Sequence, residues 1–174
     1  MNLELPKLIG HRGVKDLAPE NTVASINKAI EFGLQWVEID VKISKDLKPF
    51  LLHDDCLDRT TSGKGNPINY NYESIKNMNA GKWFDKKYND IYPPSLEEIL
   101  SICSNKNIGV NIELKPNKNY EKENVLSIYN VVKKYKMKYF FSSFDLDSVI
   151  LIKNLDKSFG VSFLVDKILH YKNL

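Results

Sequence analysis

Two short stretches constrain what this chain can fold into more than any other feature. Trp36-Val37-Glu38-Ile39-Asp40-Val41 and Val110-Asn111-Ile112-Glu113-Leu114-Lys115 set apolar residues against polar ones with a period of two. That is the period of a β-strand, whose successive side chains point to opposite faces. Glu38 and Asp40 therefore share a face, and Glu113 lies on a polar face of its own strand. The flanking runs are mainly apolar, as expected of strands covered on both faces. A carboxylate aimed into such an interior needs a partner, and a divalent cation supplies one.

The rest of the chain alternates helix with strand. Leu8-Ile9-Gly10 reads as a short first strand ending at His11. Asn21 or Thr22 can cap a helix with an apolar stripe of Val23, Ile26, Ile30 and Leu34, and Gly33 lies near its end. The second strand spans Trp36 to Ile43 and the third Phe50 to His53. The link between them is too short for the crossover that a parallel return needs. A hairpin centred near Asp46 pairs residues whose numbers sum to about 92, with His53 beside Ile39 and so between Glu38 and Asp40; a tight parallel step brings His53 to the same rim. From Cys56 to Pro94 the composition turns polar, a long loop or small insertion whose aromatics, Trp83 and Phe84 among them, either line a pocket or seal it to the body. Ser95-Leu96-Glu97-Glu98 is a capping box opening a helix to about Asn105. A fourth strand spans Gly109 to Lys115, and a helix with Val125, Ile128, Val132 and Tyr135 on one face spans Glu121 to Lys136. A fifth strand spans Tyr139 to Phe144, Asp145 caps a helix through Leu155, and a sixth strand spans Phe159 to Val165. This order predicts a parallel α/β fold.

At 174 residues the chain has the size of one domain, 1–174. No apolar run approaches the roughly 20 residues of a membrane span, and the first residues lack the succession of a secretory signal. A cytoplasmic protein without stable membrane insertion is expected. Cys56 and Cys103 are too few and too separate for a disulfide framework or a zinc site, and Cys103 suits the buried face of its helix. The net charge of +3 is small. The group Lys133, Lys134, Lys136 and Lys138 reads as a solvated helix end, which argues against nucleic acid as a partner. Only Arg12 and Arg59 among the 25 basic residues are arginine. In so lysine-rich a chain, an arginine is needed for its planar fork, which grips phosphate at two points. Arg12 directly follows His11, whereas Arg59 is as readily a structural ion pair.

His11 and His53 follow apolar runs and stand beside charged residues. Histidine exchanges protons near neutral pH, so the pair points to acid/base chemistry. His170, in the terminal tail, lacks such neighbours. Glu38, Asp40 and Glu113 are hard oxygen ligands, suited to magnesium or calcium rather than zinc. With a cation there, a phosphate ester can bind through its non-bridging oxygens to the metal, Arg12 and Lys115, which stabilise transition-state charge. One histidine then takes a proton from the nucleophile while the other protonates the leaving oxygen.

His11-Arg12-Gly13, Pro19-Glu20-Asn21-Thr22, Glu38-Ile39-Asp40, His53-Asp54 with Asp58-Arg59-Thr60-Thr61, and Glu113-Leu114-Lys115 form an ordered set that resembles the glycerophosphodiester phosphodiesterase family. The resemblance runs from about Leu8 to Val165. It implies a TIM-barrel (β/α)8-type phosphodiesterase fold and metal-dependent hydrolysis of glycerophosphodiesters, small-molecule substrates, to an alcohol and glycerol 3-phosphate. On matching positions it implies His11 and His53 as the acid/base pair, Glu38, Asp40 and Glu113 as ligands of Mg2+ or Ca2+, and Arg12 and Lys115 as phosphate contacts. It further implies a small insertion after the third strand, matching Asp54 to Pro93, and attack by a glycerol hydroxyl to give a cyclic intermediate. Family members usually continue further, so the resemblance also implies an incomplete barrel lacking its last two strands. Its open edges and apolar surface would favour self-association. Two other readings follow from the same residues: a truncated, non-catalytic remnant of the family, or a phospholipase acting on lysolipids. Against the latter stands the lack of an amphipathic membrane-docking segment.

Overall fold

A computed structural model describes residues 5–166. Among them, β1 (Trp36–Ile43), β2 (Pro49–Leu51), β3 (Gly109–Leu114), β4 (Tyr139–Ser143) and β5 (Val161–Phe163) form one sheet in the order β2-β1-β3-β4-β5. β2 is antiparallel to β1, and the other pairings are parallel. The helices are α1 (Val23–Glu31), α2 (Tyr72–Lys76), α3 (Leu96–Asn105), α4 (Glu121–Val132) and α5 (Leu146–Leu155).

Period-two alternation decides which face the helices cover. Val37, Ile39 and Val41 of β1 and Val110, Ile112 and Leu114 of β3 pack with Ile26, Ile99, Cys103, Ile128 and Ile152 from four helices in one core. Glu38, Asp40 and Lys42 occupy the other face of β1, yet every residue of that strand is buried. The polar face is therefore an interior one, and it needs internal partners for its charges. Register fixes which charges meet: Asp40 lies opposite Glu113, and Glu38 opposite Asn111. A one-residue slip would turn this layer into the apolar core.

The caps follow from local chemistry. Thr22 and Ser25 form a reciprocal capping box at α1, so Asn21 is free for another role. The Ser95 side chain accepts the Glu98 N–H at 3.2 Å, but the Glu98 carboxylate accepts from Tyr92 Oη at 2.7 Å. The expected box is thus half formed. Asp145 caps α5 through the Ser148 N–H, at 2.7 Å.

Several expected boundaries move. The first strand shrinks to a single bridge, Gly10 with Val37. The Gly10 N–H donates to Trp36 O at 3.0 Å, and by Gly13 the chain has already turned to donate to Glu38 O at 3.1 Å. Gly13 has a φ of +79°, and a Cβ there would lie 2.4 Å from Ser25 Oγ, so only glycine makes this turn. The third strand is the arm of a hairpin and ends at Leu51. Its pairs Val41 with Leu51, Lys42 with Phe50 and Ile43 with Pro49 match the register inferred from the sequence. The Leu52 N–H still reaches Asp40 O at 3.1 Å, after which Asp54 is drawn to Arg59 and pairing stops before His53. α4 ends at Val132, four residues early, because Lys134 and Tyr135 donate to Val131 and Val132 carbonyls in tight final turns. β5 is shorter than expected, since the Phe159 ring turns onto Phe141 with centroids 5.2 Å apart. His170 lies outside the described residues. No helix among those described is long and apolar enough to cross a membrane.

The segment after β2 packs Leu52, Leu57 and Ile75 onto Phe50 of that strand in a small second core. Its Trp83, Phe84 and Tyr88 pack edge to face, and Tyr88 Oη donates to Leu17 O at 3.4 Å. Of these aromatics, Tyr88 is the one that reaches the body. Among the described residues, Leu146, Ile150, Phe163 and Val165 near the β5 end of the sheet are exposed.

Trp36 crosses the interior face at the base of the sheet and lies over Gly109, where an added Cβ would sit 2.3 Å from Cε2 of the indole. Gly109→Ala is expected to destabilise the protein by about 1–3 kcal/mol, read as a lower urea midpoint with unchanged slope. A midpoint equal to the wild type would show that the ring can move aside freely.

Candidate active site

The site begins with the edge of β1 opposite β3. Even-numbered carbonyls of β1 face this edge: Trp36 O and Glu38 O take Gly10 and Gly13, and Asp40 O takes Leu52. Two segments far apart in sequence are thereby docked in succession along one strand. One carries His11 and Arg12, the other His53 and Asp54, and both flank Glu38 and Asp40.

Glu38, Asp40 and Glu113 each offer an oxygen within 4.8 Å of the others. Two oxygens bound to one magnesium or calcium ion lie within about 5 Å of each other, so the spacing suits a shared cation. Asp40 is held from two sides. Its Oδ2 accepts from Asn21 Nδ2 at 2.8 Å, and its own N–H donates to Asn21 Oδ1 at 3.1 Å. Arg12 Nε lies 3.2 Å from the same Oδ2, leaving Oδ1 with Lys115 Nζ at 3.7 Å. Glu38 accepts the Arg12 N–H on Oε2 at 2.9 Å, while its buried Oε1 has no hydrogen-bond partner. Lys115 pairs with Glu113 at 2.7 Å. A buried oxygen without a donor beside two further carboxylates fits a hard cation.

Electrostatics agree with that geometry. Burial first, and then the charge of Asp40, push the Glu38 carboxyl up to about 8. Burial also raises Glu113, against the pull of Lys115. His11 is lowered, by burial and then by the Arg12 charge, and its Nε2 lies 3.9 Å from Glu38 Oε2. His53 Nδ1 is 2.8 Å from Asp54 Oδ1, and its ring is near enough to Glu113 for its charge to be felt there.

The seven residues singled out from the sequence thus form one cluster, with Arg12 and Lys115 resting against its carboxylates. Other members of the cluster were not legible. Asn21 and Glu20 lie in the Pro19-Glu20-Asn21-Thr22 string without any periodic signal of a role. Arg59, left even between phosphate grip and structural pair, makes ion pairs with Glu20 and Asp54. Burial works against the Glu20 charge, but hydrogen bonds from Arg59 and Arg12 hold its carboxyl below the usual range. Arg59, before all else, holds Asp54 far below it. Lys42 is fully buried, with its ammonium 3.0 Å from Asp55 Oδ1 and 3.4 Å from Lys115 O. Its place two residues beyond Asp40 on the same face was the available clue.

Comparison with known proteins places this arrangement. The glycerophosphoryl diester phosphodiesterase family model matches residues 11–172. The chain is 35% identical over 171 residues to protein YqiK of Bacillus subtilis, covering 95% of this chain and 69% of that one. It is 38% identical over 108 residues to a glycerophosphodiester phosphodiesterase of Caldanaerobacter subterraneus, covering 62% of this chain and 44% of that one. Among solved structures, an Oleispira antarctica phosphodiesterase in complex with its product sn-glycerol-3-phosphate superposes with a TM-score of 0.92 at 35% identity, over 96% of this chain and 69% of that one. The fold is of that TIM-barrel type, and the five-stranded sheet is a part of it.

The raised Glu38 carboxyl has a sign that can be checked. Folded Glu38 keeps its proton between the ordinary value of 4.5 and about 8, where the unfolded chain has released it. Stability of the metal-free protein therefore falls as pH rises through this window. Glu38→Gln removes the loss: in chelator its Tm should exceed that of the wild type by several degrees near pH 8 and match it near pH 4.5. Thermal denaturation across the range reads this directly, and a variant less stable than wild type near pH 8 would contradict it.

Proposed function

The chain belongs to the glycerophosphoryl diester phosphodiesterase family, and from that premise we propose that it hydrolyses glycerophosphodiesters to an alcohol and glycerol 3-phosphate. The reading is carried by one observation: two histidine-bearing segments dock side by side on the strand edge that presents Glu38 and Asp40. A relative 35% identical to this chain was solved with sn-glycerol-3-phosphate as its product, which supports the same substrate class.

Glu38, Asp40 and Glu113 would hold Mg2+ or Ca2+. When bound, the cation supplies positive charge against the phosphate oxygens and lowers the pKa of the attacking hydroxyl. Lys115 swings from Glu113 toward a non-bridging oxygen, and Arg12 offers the N–H groups not engaged by Glu20 and Asp40. Both cations then oppose the charge that grows in the transition state. His11, whose pKa is lowered by partial burial and then by the Arg12 charge, takes the proton of the nucleophile at a ring nitrogen. His53, with Asp54 on Nδ1, holds its proton for the leaving oxygen on Nε2, and the Asp54 carboxylate compensates the charged ring, as a carboxylate does in a hydrolase triad. The roles exchange when water completes the reaction.

Release of glycerol 3-phosphate from glycerophosphocholine should require Mg2+ or Ca2+ and vanish in chelator. His11→Ala and His53→Ala should each lower kcat by about 100- to 10,000-fold. With a p-nitrophenyl ester, whose leaving group needs no proton, His53→Ala should lose much less than His11→Ala. Absence of turnover by the folded wild-type chain would sink the reading. Equal losses on both esters would overturn the division of roles.

A further inference from the structure

Arg59 uses its whole guanidinium. Nε and Nη2 grip Asp54 Oδ2 and Oδ1 at 2.6 and 2.8 Å, while Nη1 and Nη2 grip Glu20 Oε2 and Oε1 at 2.9 and 2.7 Å. Two edges of one planar group are filled by two carboxylates, so no edge remains for a phosphate. Asp54 in turn lies 2.8 Å from His53 Nδ1. On the far side, Glu20 Oε1 also accepts from Arg12 Nη1 at 2.8 Å, and Arg12 lies against Asp40. One continuous row, Asp40, Arg12, Glu20, Arg59, Asp54 and His53, thus joins the two segments that dock separately on β1. Glu20 is buried, and Trp83 of the insertion lies beside the outer part of Arg59, 6.0 Å from ring centroid to guanidinium carbon. Lysine, with one compact ammonium, cannot make two forked pairs at right geometry, which accounts for an arginine here in a chain that otherwise uses lysine.

We propose that Arg59 is a positioning residue of the active site: anchored by Glu20, it fixes Asp54 and through it the ring of His53, locking the His53 segment to the His11 segment. Its place in catalysis rests on the phosphodiesterase reading; its action on the His53 ring does not. With Asp54 fixed, His53 carries its proton on Nδ1 in the neutral form and presents Nε2 to the substrate. Without Arg59, Asp54 can turn to solvent and the ring loses both its tautomer and its orientation.

The test pairs kinetics with a substrate-free measurement on the full chain, using Arg59→Lys, Arg59→Ala and Glu20→Gln. Nitrogen-15 spectra of the histidine rings should show His53 as the Nδ1–H tautomer in the wild type and as a mixture in Arg59→Lys, at unchanged circular dichroism. On glycerophosphocholine, Arg59→Lys should lower kcat about 10- to 100-fold with KM within about twofold, and guanidinium at millimolar concentration should restore part of the loss in Arg59→Ala where methylammonium does not. Glu20→Gln, which keeps the shape of the anchor, should shift kcat in the same direction by less. A raised KM at constant kcat would make Arg59 a phosphate contact and overturn the proposal. So would an unchanged His53 tautomer in folded Arg59→Lys. If the wild type turns nothing over, the spectra still decide the positioning role, and only the phosphodiesterase reading fails.

Discussion

Three carboxylates on the enclosed face of β1 and β3 cost free energy to ionise, and much of the surrounding architecture meets that cost. Cations reach them from separate parts of the chain: Arg12 from the turn after Gly10, and Lys115 from the end of β3. The segment with His53 is bound to the same layer through Arg59 and Glu20. Each cation is itself partnered by a second acid, so the layer is a lattice of alternating charge rather than a set of isolated pairs. In a low-dielectric interior such a lattice is favourable only when all its members are in register. This explains why so much backbone is spent on placing it. Arg12 accepts a left-handed conformation, with φ of 50°, and so does Asn21, with φ of 55°. Both distortions deliver a side chain and a backbone or amide donor to Glu38 or Asp40.

The α/β order, the hairpin register and the acidic cluster were legible in the sequence because they depend on periodicity and on chain length between elements. A link too short for a crossover left a hairpin or a tight parallel step, and the antiparallel pairing of β2 with β1 takes the hairpin with its constant sum of residue numbers. What escaped was set by geometry between remote side chains. Nothing near Leu8 announces that the strand there will make one bridge; the early turn comes from Gly13 reaching for Glu38 O. Asn21 and Thr22 were equivalent as caps, and only the proximity of Asp40 shows why Thr22 caps while Asn21 clamps. Arg59 was visible as an exception in composition, but its partners, 5 and 39 residues away, have no spacing rule. Lys42 has such a rule, since it shares a face with Glu38 and Asp40, but a lysine at a strand end ordinarily extends into water, which masks the signal.

The insertion between β2 and α3 is built on a different economy from the rest. Its apolar residues close on themselves around Phe50, Leu52, Leu57 and Ile75, and it meets the charged layer mainly through Arg59 and the segment around His53. Phe50 belongs to β2, so this second core is anchored on the edge strand of the sheet while its remaining apolar residues lie outside the charged layer. The clasp at Arg59 ties this second core to the charge lattice through side chains of both segments.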